Sequence, residues 1–443
     1  MLGRFREILR FSTLTLLTIL SSSALASGYK MEFQSASVLA DAGEAAVVED
    51  AGTNWYNSAG LVYLPHQFVG SVIDLITRTQ FTGSVNAPNV VSTAVGPNFS
   101  AQGSADSYQS KPLPALHYNL PFKEQFAFGI SIVPAWGLSE NYGQSSFVRY
   151  ELTRIYTKTI DISPSIAFKL NDKWSFGAGP DFNYLSLQSR FNINSQSALL
   201  GTTGDSISRV SGDDWNTGWH LGALFRPNEC TRFGLNYRSK IVMHLTGSSG
   251  YFSFPATGLP ENNSFTFHWV LPPTTTFSAY RDLNSRWALM GTIAYDQWNT
   301  LRNYNVQNYQ TVNATPAYVQ VPVTLSQGFR NVFNYSAGAH FKVNEQWLLR
   351  GSVKYEPTPT GDLNRDINFP DANKLGVQIG GRYQFNQKLA LDLIYGHVFT
   401  KTTPIRPTPA VNALTGTRLT GVVINGHSTT SIDLVGAQIV WNI

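Results

Sequence analysis

Charged residues are scarce in this chain, and long hydrophobic runs are scarcer still. Asp, Glu, Lys and Arg make up only 14% of the 443 residues, well below the usual share of about a quarter. The net charge of +4 is small and the basic residues are scattered, which argues against nucleic-acid binding. After the N-terminus no run of roughly 18 apolar residues occurs, which argues against membrane-spanning helices.

Cysteine is almost absent, because Cys230 is the only one, so no intramolecular disulfide can form. Cys230 lies in a predicted turn without a neighbour that would activate its thiol, and we expect no reactive role. The 8 histidines are scattered, and the sequence has no catalytic motif, phosphate loop or metal-ligand spacing. We therefore predict no enzyme, no cofactor and no metal site. Residues from distant strands can meet in space, however, so an enzyme stays an alternative.

Aromatic residues are plentiful at 13%, and they take part in a strict alternation of residue types. Between Trp174 and Tyr184 every second residue is apolar, and the residues between them are small or polar. Successive side chains of a strand point to opposite faces, so this period indicates a strand with one apolar face. The pattern recurs along the chain. It is typical of a barrel that is apolar outside, towards the membrane, and polar inside.

The predicted strands are joined by connections that alternate between short and long. Fourteen strands are predicted near residues 67–77, 111–120, 125–137, 155–170, 174–190, 215–226, 231–246, 265–281, 286–299, 329–342, 347–357, 374–386, 388–400 and 428–443. Bacterial outer-membrane barrels pair short periplasmic turns with longer external loops and have an even number of strands. We therefore predict an all-β fold, a 14-stranded antiparallel transmembrane β-barrel that closes on itself.

Two N-terminal segments precede the predicted barrel of residues 65–443. Residues 1–26 combine basic residues, an apolar stretch and the small-x-small site Ala24-Leu25-Ala26, which is typical of a cleaved signal peptide. Residues 27–64 are rich in Ala, Gly, Asp and Asn, and we predict that they form a hatch, or plug, in the lumen. A disordered periplasmic tail is the alternative, although aromatic residues would be unusual there.

Several segments share a family resemblance. They are residues 27–37 (Ser-Gly-Tyr-Lys-Met-Glu-Phe-Gln-Ser-Ala-Ser), 50–54, 57–59, 212–219, 236–239 and 271–273. They resemble FadL-type outer-membrane transporters of long-chain fatty acids, over essentially the whole mature chain. The resemblance implies a fourteen-stranded barrel with an N-terminal hatch in the bacterial outer membrane. It leaves the substrate open, because some relatives carry aromatic hydrocarbons.

The resemblance also implies a set of hatch and gate residues. They are Asp50, Asn54, Asn57, Ser58, Ala59, Pro134 and Gly137. Ser58 stands where the family has proline, which frees the backbone of that turn. Pro134 lies inside the third predicted strand, where proline removes a ladder hydrogen bond. We interpret it as a kink that opens a side window for lateral exit. A strand end near the external rim is the alternative.

A second set of residues is expected to bind the ligand. The set comprises Tyr29, Met31 and Phe33 of the hatch, Leu199, Leu200, Tyr251, Phe252, Phe254 and Leu259 of two external loops, and Arg190, Leu325 and Arg330. The loop residues are apolar where a polar surface is expected, which suggests a groove for first capture of an acyl chain or a cap over the barrel. Arg190 and Arg330 are candidates to meet a carboxylate. The alternative for each is a lumen residue paired with Asp181 or Asp392.

The predicted function is diffusive uptake across the bacterial outer membrane. The expected partners are a long-chain fatty acid or other hydrophobic small molecule, outer-membrane lipid and lipopolysaccharide, with no nucleic acid, and the chain is expected to be a monomer. Three alternatives stay open: an aromatic-hydrocarbon transporter of the same family, a general porin and an outer-membrane lipid-acting enzyme. A porin would need a charged constriction and no plug.

Overall fold

The computed structural model describes residues 28–89, 96–196, 204–252, 262–312, 318–407, 411–412 and 421–443. These residues form fourteen antiparallel barrel strands, six of them in two parts. The strands are β1 Gln67–Ala87, β2 Phe99–Phe122, β3 Phe126–Val133 with Gly137–Asn141, β4 Arg154–Lys169, β5 Trp174–Ile193, β6 Ser206–Asn228, β7 Thr231–Arg238 with Ile241–Phe252, β8 Asn262–Leu271 with Thr274–Asp282, β9 Trp287–Asp296 with Asn303–Val312, β10 Tyr318–Ser326 with Val332–Lys342, β11 Trp347–Glu356, β12 Lys374–Gln384, β13 Leu389–Thr400 with Thr403–Ile405, and β14 Val423–Asn442.

Short helical segments are present in addition to the strands of the barrel wall. They are α1 Ala36–Ala40, α2 Thr53–Asn57, and the 3₁₀ helices Ser58–Tyr63 and Trp298–Thr300. A two-residue strand, Val411–Asn412, belongs to the connection before β14 and pairs with β10. Among the described residues, no helix is long and apolar enough to cross a membrane.

The barrel closes between its first and last strands. β14 pairs with β1 in one unbroken register, from Gln67 opposite Asn442 to Asn86 opposite Val423. Hydrocarbon offers no hydrogen bonds, so an open sheet edge would leave backbone groups unsatisfied at a cost of several kcal/mol each. Closure removes that edge. The predicted 14-stranded antiparallel barrel is confirmed.

The alternation of residue types places the apolar side chains on the outside. In β5, Trp174, Phe176 and Phe182 are exposed, whereas Ser175, Gly177 and Asp181 in the alternate positions are buried. Aromatic pairs form two belts, such as Trp174 with Phe225 near the short turns and Tyr184 with Trp215 towards the long connections. Tyr184 lies ten residues beyond Trp174, which is about 33 Å along the strand. At the usual tilt this is an apolar band of about 25 Å.

Several strands are longer than the sequence pattern predicted, and β1, β2 and β6 are clear examples. β1 continues to Ala87, β2 begins at Phe99 and β6 begins at Ser206, so the predicted connections 78–110 and 191–214 were too long. The extra outward positions of β1 carry Arg78, Gln80 and Thr82. The backbone ladder continues above the apolar band although the apolar alternation stops. The pattern therefore located only the part of each strand that faces hydrocarbon.

The lumen has two halves of different character, and the expectation of a uniformly polar interior was wrong. The half near the short turns, which we call the lower lumen, is filled by residues 28–64. The half near the long connections, the upper lumen, has apolar inward rows. Its inward residues include Leu75, Leu187, Met243, Leu245, Phe265, Phe267, Trp269, Ile432 and Leu434. The upper lumen therefore combines these apolar rows with scattered polar positions such as Thr79, Glu140 and Ser208.

Inward-facing glycines let residues 57–59 approach the wall of the lower lumen. A Cβ atom at Gly222 would lie 2.2 Å from Asn57 Oδ1, and one at Gly177 would lie 2.5 Å from the Ser58 backbone. Asn57 Nδ2 donates to the Ala223 carbonyl at 3.0 Å, and Ser175 Oγ donates to the Ala59 carbonyl at 2.8 Å. Only glycine leaves room for this contact.

The predicted boundary between hatch and barrel at residue 64 stays a prediction. The predicted signal peptide also stays a prediction, because it lies outside the described residues.

We predict that the outward face tolerates charge only above the apolar band. Ile379→Arg, at the middle of β12, should lower the free energy of unfolding in lipid vesicles by about 2–4 kcal/mol, because an arginine would face hydrocarbon. Thr82→Arg, an outward position on the extension of β1, is the matched control and should change it by less than about 1 kcal/mol. Urea titration of both variants measures the difference. Equal destabilisation would contradict the assigned height of the band.

Candidate functional site

A cavity of about 400 Å³ occupies the upper lumen. It is lined by Tyr29, Leu138, Tyr150, Glu151, Ile155, Leu187, Ser189, Phe191, Val210, Phe265, Phe267, Trp269, Tyr304, Val306, Val323, Leu325, Gln327, Asp366, Asn368, Phe369, Pro407, Val422, Val423 and Ile424. Eight of these residues are aromatic, and within the described part of the chain no Lys or Arg is among them. Ligand pockets of this size and apolar character bury most of a small hydrophobic molecule.

Tyr29 forms the floor of the cavity. Its hydroxyl donates to the carbonyl of Val270 at 2.7 Å. Its ring centre lies 4.9 Å from that of Trp269 and 4.8 Å from that of Trp298, both edge-on. Burial raises the pKa of Tyr29 well above its ordinary value, so its phenol stays neutral. The cavity therefore ends on an aromatic cluster that includes the N-terminal segment.

Two acidic side chains line the cavity, and the described residues of its lining include no cation beside them. Burial, followed by the charge of Asp366, raises the pKa of Glu151 to about 8. Burial also raises the pKa of Asp366. Both residues lie in long connections, outside the membrane-spanning strands. At neutral pH Glu151 is therefore mostly protonated, and the cavity can offer a neutral carboxyl group as a hydrogen-bond partner. Sequence reasoning missed both residues, because nothing in a loop sequence marks an acid as cavity-lining.

The third strand is broken at the predicted kink, and the N-terminal segment fills the break. β3 stops at Val133 and resumes at Gly137. Met31 N donates to the Ala135 carbonyl and Gly137 N donates to the Tyr29 carbonyl, both at 2.9 Å. These bonds form an antiparallel bridge between Lys30 and Trp136, which we call the seam.

A side-chain hydroxyl completes the bonding of the break. Thr159 Oγ1, from β4, accepts from Trp136 N at 2.9 Å and donates to the Trp136 carbonyl at 2.5 Å. Gln34 Nε2 donates to the Pro134 carbonyl at 3.2 Å. The backbone groups exposed by the proline thus depend on the hatch and on one threonine for their partners.

The barrel wall has an interrupted ladder beside the seam. β2 pairs with β3 only as far as Leu116 opposite Ile132. Higher up, β2 contacts the second part of β3 through its own side chains: Ser139 Oγ donates to Gln109 Oε1 at 3.3 Å, and Asn141 N donates to Ser107 Oγ at 2.9 Å. The ammonium of Lys111 lies in this interval, 5.3 Å from the centre of the Tyr156 ring. Tyr156 belongs to the outward row of β4, so Lys111 reaches towards the outer face. We call this interval the gap.

The predicted ligand residues fall into different places. Tyr29 and Leu325 line the main cavity. Met31 lines a smaller cavity of about 60 Å³ below the seam, and Phe33 lines another of about 30 Å³. Tyr251 and Phe252 end β7 instead of lying in a loop. The remaining loop residues, Leu199, Leu200, Phe254 and Leu259, lie outside the described residues.

Neither predicted arginine reaches the cavity. Arg190 shares the outward face of β5 with Phe182 and Tyr184. Arg330 is exposed in the break of β10. The expectation that they meet a carboxylate in the inner pocket is therefore not supported. Position along the chain does not decide which side of the wall Arg190 faces, because one residue of register exchanges lumen and exterior.

Comparison with known proteins decides the family. The pattern of the family described as "Outer membrane protein transport protein (OMPP1/FadL/TodX)" matches residues 17–440. The chain belongs to the FadL/TodX family of outer-membrane transport proteins. It is therefore a bacterial outer-membrane transporter of hydrophobic compounds and not an enzyme.

Relatives of this FadL-family chain are distant in sequence but match most of its length. A long-chain fatty acid transport protein of Escherichia coli O6:H1 is 26% identical over 421 residues, covering 85% of this chain and 87% of the relative. Outer membrane protein P1 of Haemophilus influenzae is 22% identical, and the match covers 87% of this chain and 88% of that protein. The fold is shared with a Pseudomonas aeruginosa FadL homologue, at a TM-score of 0.79 and 20% sequence identity. That match covers 94% of this chain and 99% of the homologue. The fold is also shared with the Pseudomonas putida toluene transporter TodX, at a TM-score of 0.65 and 15% sequence identity. That match covers 96% of this chain and 100% of TodX.

The hatch of this FadL-family barrel is bound to the wall by polar contacts. Asn54 Nδ2 donates to Ser131 Oγ at 2.9 Å and to the Ser163 carbonyl at 3.0 Å. Asp50 accepts from Arg382 Nη2 at 2.7 Å and from Gln438 Nε2 at 2.9 Å. The predicted hatch residues therefore contact β3, β4, β12 and β14. These strands lie on both sides of the closure between β1 and β14, so the hatch ties the two ends of the sheet together.

Arg350 is the centre of a buried charge cluster between hatch and wall. Its guanidinium contacts Asp41 at 3.3 Å, Asp392 at 2.6 Å and Glu49. His340 contacts the same Asp41 and lies 3.2 Å from Glu49. Asp41, Glu49 and His340 have the spacing of a metal site. Arg350 already contacts both carboxylates of this group, so Asp41 and Glu49 are paired with a cation of the protein itself.

We predict that Arg350 holds the hatch in place. Arg350→Met would leave three carboxylates buried without their central partner, a change that typically costs about 3–5 kcal/mol. The variant should show faster proteolysis within residues 28–64 and higher ion conductance in planar bilayers. Arg281→Met, an exposed position at the turn end of β8, is the control and should behave as wild type. A tight, protease-resistant Arg350→Met protein would show that the charge cluster does not hold the hatch.

Proposed function

We propose that this chain carries long-chain fatty acids and similar elongated hydrophobic molecules across the outer membrane by diffusion. The observation that carries the proposal is the seam, because it joins an apolar cavity to a break in the barrel wall. A molecule in the cavity rests on Tyr29, and Tyr29 supplies the carbonyl that holds Gly137. A bound ligand and the barrel wall would therefore both contact the same short segment around Tyr29.

The cavity supplies the driving force for uptake. Moving an alkyl chain from water onto apolar surface is favourable by about 0.8 kcal/mol per methylene. Eight aromatic residues and several aliphatic ones provide that surface. Because the ligand leaves into hydrocarbon, which is equally apolar, no energy source is needed and transport follows the concentration gradient.

The exit route in this proposal runs through the gap. If residues 29–31 move away, the two seam hydrogen bonds break and the interval between β2 and β3 loses its inner cover. A carboxylate leaving by this path would pass Lys111, whose ammonium lies beside the gap. Cavity, seam and gap all belong to one chain, so we propose that the monomer is the working unit.

An aromatic hydrocarbon is the second candidate substrate. The described lining of the cavity contains eight aromatic residues and no Lys or Arg, which suits an uncharged ring better than an ionised fatty acid. TodX, which has the same fold, is named as a toluene transporter. The fatty-acid relatives are more similar in sequence. Uptake assays with oleate and toluene in parallel separate the two candidates.

We predict that a crosslink across the seam stops transport. Lys30 and Trp136 form a non-hydrogen-bonded antiparallel pair, whose Cα atoms are typically about 4.5 Å apart, within the range of a disulfide. In a Cys230→Ser background, oxidised Lys30→Cys/Trp136→Cys protein should lose most uptake of labelled oleate. Reduction should restore it to the level of the two single-cysteine variants.

Three further outcomes give this experiment its meaning. Pro134→Ala should lower uptake by restoring a backbone donor at the break, whereas Pro180→Ala, in the unbroken β5, should not. Unchanged uptake in the oxidised crosslinked protein would show that the seam does not open. If wild-type cells take up neither oleate nor toluene above a strain lacking the chain, the proposed function fails.

We predict that fatty-acid binding weakens as the pH rises through about 8. The raised pKa of Glu151 means that this carboxyl is protonated below about pH 8 and ionised above it. An ionised Glu151 would repel the carboxylate of oleate inside an apolar cavity. Equilibrium binding of a fluorescent fatty acid between pH 6 and 9.5 measures the effect.

Glu151→Gln is the matched variant, since it keeps the shape and cannot ionise. Its affinity for the fatty acid should stay nearly constant over that range. Toluene binding should be independent of pH in both proteins, because toluene has no charge to repel. A pH profile that is the same with and without Glu151 would place the carboxylate elsewhere.

A further inference from the structure

Three arginines stand side by side on the outer face of the barrel. Arg154 of β4 lies directly opposite Arg190 of β5, and Arg190 lies directly opposite Arg209 of β6. All three occupy outward positions of their strands. We call this set the arginine row.

The row is unfavourable for the protein alone. Like charges directly opposite on neighbouring strands repel and destabilise a sheet. Among the described residues no ion pair joins Arg154 or Arg190 to a carboxylate. Asp205, at the end of the connection into β6, is paired with Arg149 at 2.7 Å. An anion from outside the chain would remove this repulsion.

A polar depression of about 370 Å³ lies on the outer wall directly below the row. Its lining includes Ser186, Gln188, Ser211, Asp213 and Ser248. Ser211 Oγ and Ser248 Oγ are 3.2 Å apart. Hydroxyl and amide groups suit the hydrogen-bonding surface of a sugar, whereas the single acid makes the depression a poor site for a phosphate by itself.

The height of these groups points to the outer leaflet. Below the depression the outward row of β5 becomes apolar at Tyr184, which packs on Trp215 in the external aromatic belt. Lys158 lies opposite Ser186, one outward step above that belt. Arg190 lies six residues beyond Tyr184, about 20 Å along the strand and about 14 Å in height at the usual tilt. Sugars and phosphates of an outer-leaflet glycolipid occupy this layer.

We propose that the arginine row and the polar depression form a binding site for the phosphorylated core of lipopolysaccharide. Guanidinium groups bind phosphate in bidentate geometry with short, charge-assisted hydrogen bonds. The acyl chains of the same lipid would lie against the apolar band below Tyr184, and its sugars against the depression. The site is separate from the cavity and does not rest on the proposed transport function.

The test uses the full-length protein with Arg154→Gln, Arg190→Gln and Arg209→Gln combined. Binding of purified lipopolysaccharide to the detergent-solubilised protein should weaken by about 10- to 100-fold. Enzymatically dephosphorylated lipopolysaccharide should bind the wild type as weakly as phosphorylated lipid binds the variant. Arg281→Gln, which removes the same charge at the opposite end of the barrel, is the matched control and should bind as wild type.

Thermal stability provides a second readout. The difference in unfolding temperature between the triple variant and the wild type should have opposite signs in two media. In pure detergent the triple variant should unfold at the same temperature as wild type or at a higher one, because repulsion is removed. In micelles containing lipopolysaccharide the order should reverse. Stability that is lower in both media, or equal lipopolysaccharide binding by variant and wild type, would overturn the proposal. The proposal would also be overturned if the wild type bound inorganic phosphate as tightly as it binds the glycolipid. The same holds if the main effect of the triple substitution were that the protein no longer associates with itself.

Discussion

The constraint on which the rest of the structure depends is that every backbone polar group inside hydrocarbon must find a partner within the protein. Fourteen strands meet it by closing β14 onto β1. Pro134 breaks the rule in β3, and the structure repairs the break with Met31, Tyr29 and Thr159. The opening in the wall and the segment that covers it are therefore parts of one hydrogen-bonding arrangement.

The two halves of the lumen differ in polarity and in what they hold. The lower half holds the hatch through amide and charged contacts, centred on Arg350 and Arg382. The upper half is apolar and leaves a cavity that ends on Tyr29. A hydrophobic ligand can therefore settle only above the hatch. Its contact with the N-terminal segment is the point at which binding can influence the seam.

The outer face changes its chemistry with height along unchanged strands. On β5 the same outward row runs from Trp174 through Tyr184 to Arg190, from apolar to aromatic to cationic. This gradient explains why Arg190 is a poor candidate for a lumen ligand and a good one for an anionic headgroup. It also explains why the extensions of β1, β2 and β6 escape a search for apolar alternation.

The sequence by itself determined the barrel, its strand number, the position of the kink and the family, because a period of two and the length of the connections are local properties. Leu375, Val377 and Ile379 could be placed on the outside from their spacing alone. The tertiary structure decided what meets across the lumen. Lys30 faces Trp136 more than a hundred residues away, and Glu151 meets Asp366 in one cavity. Such contacts depend on barrel closure and on register, and a single-residue shift exchanges the lumen for the membrane.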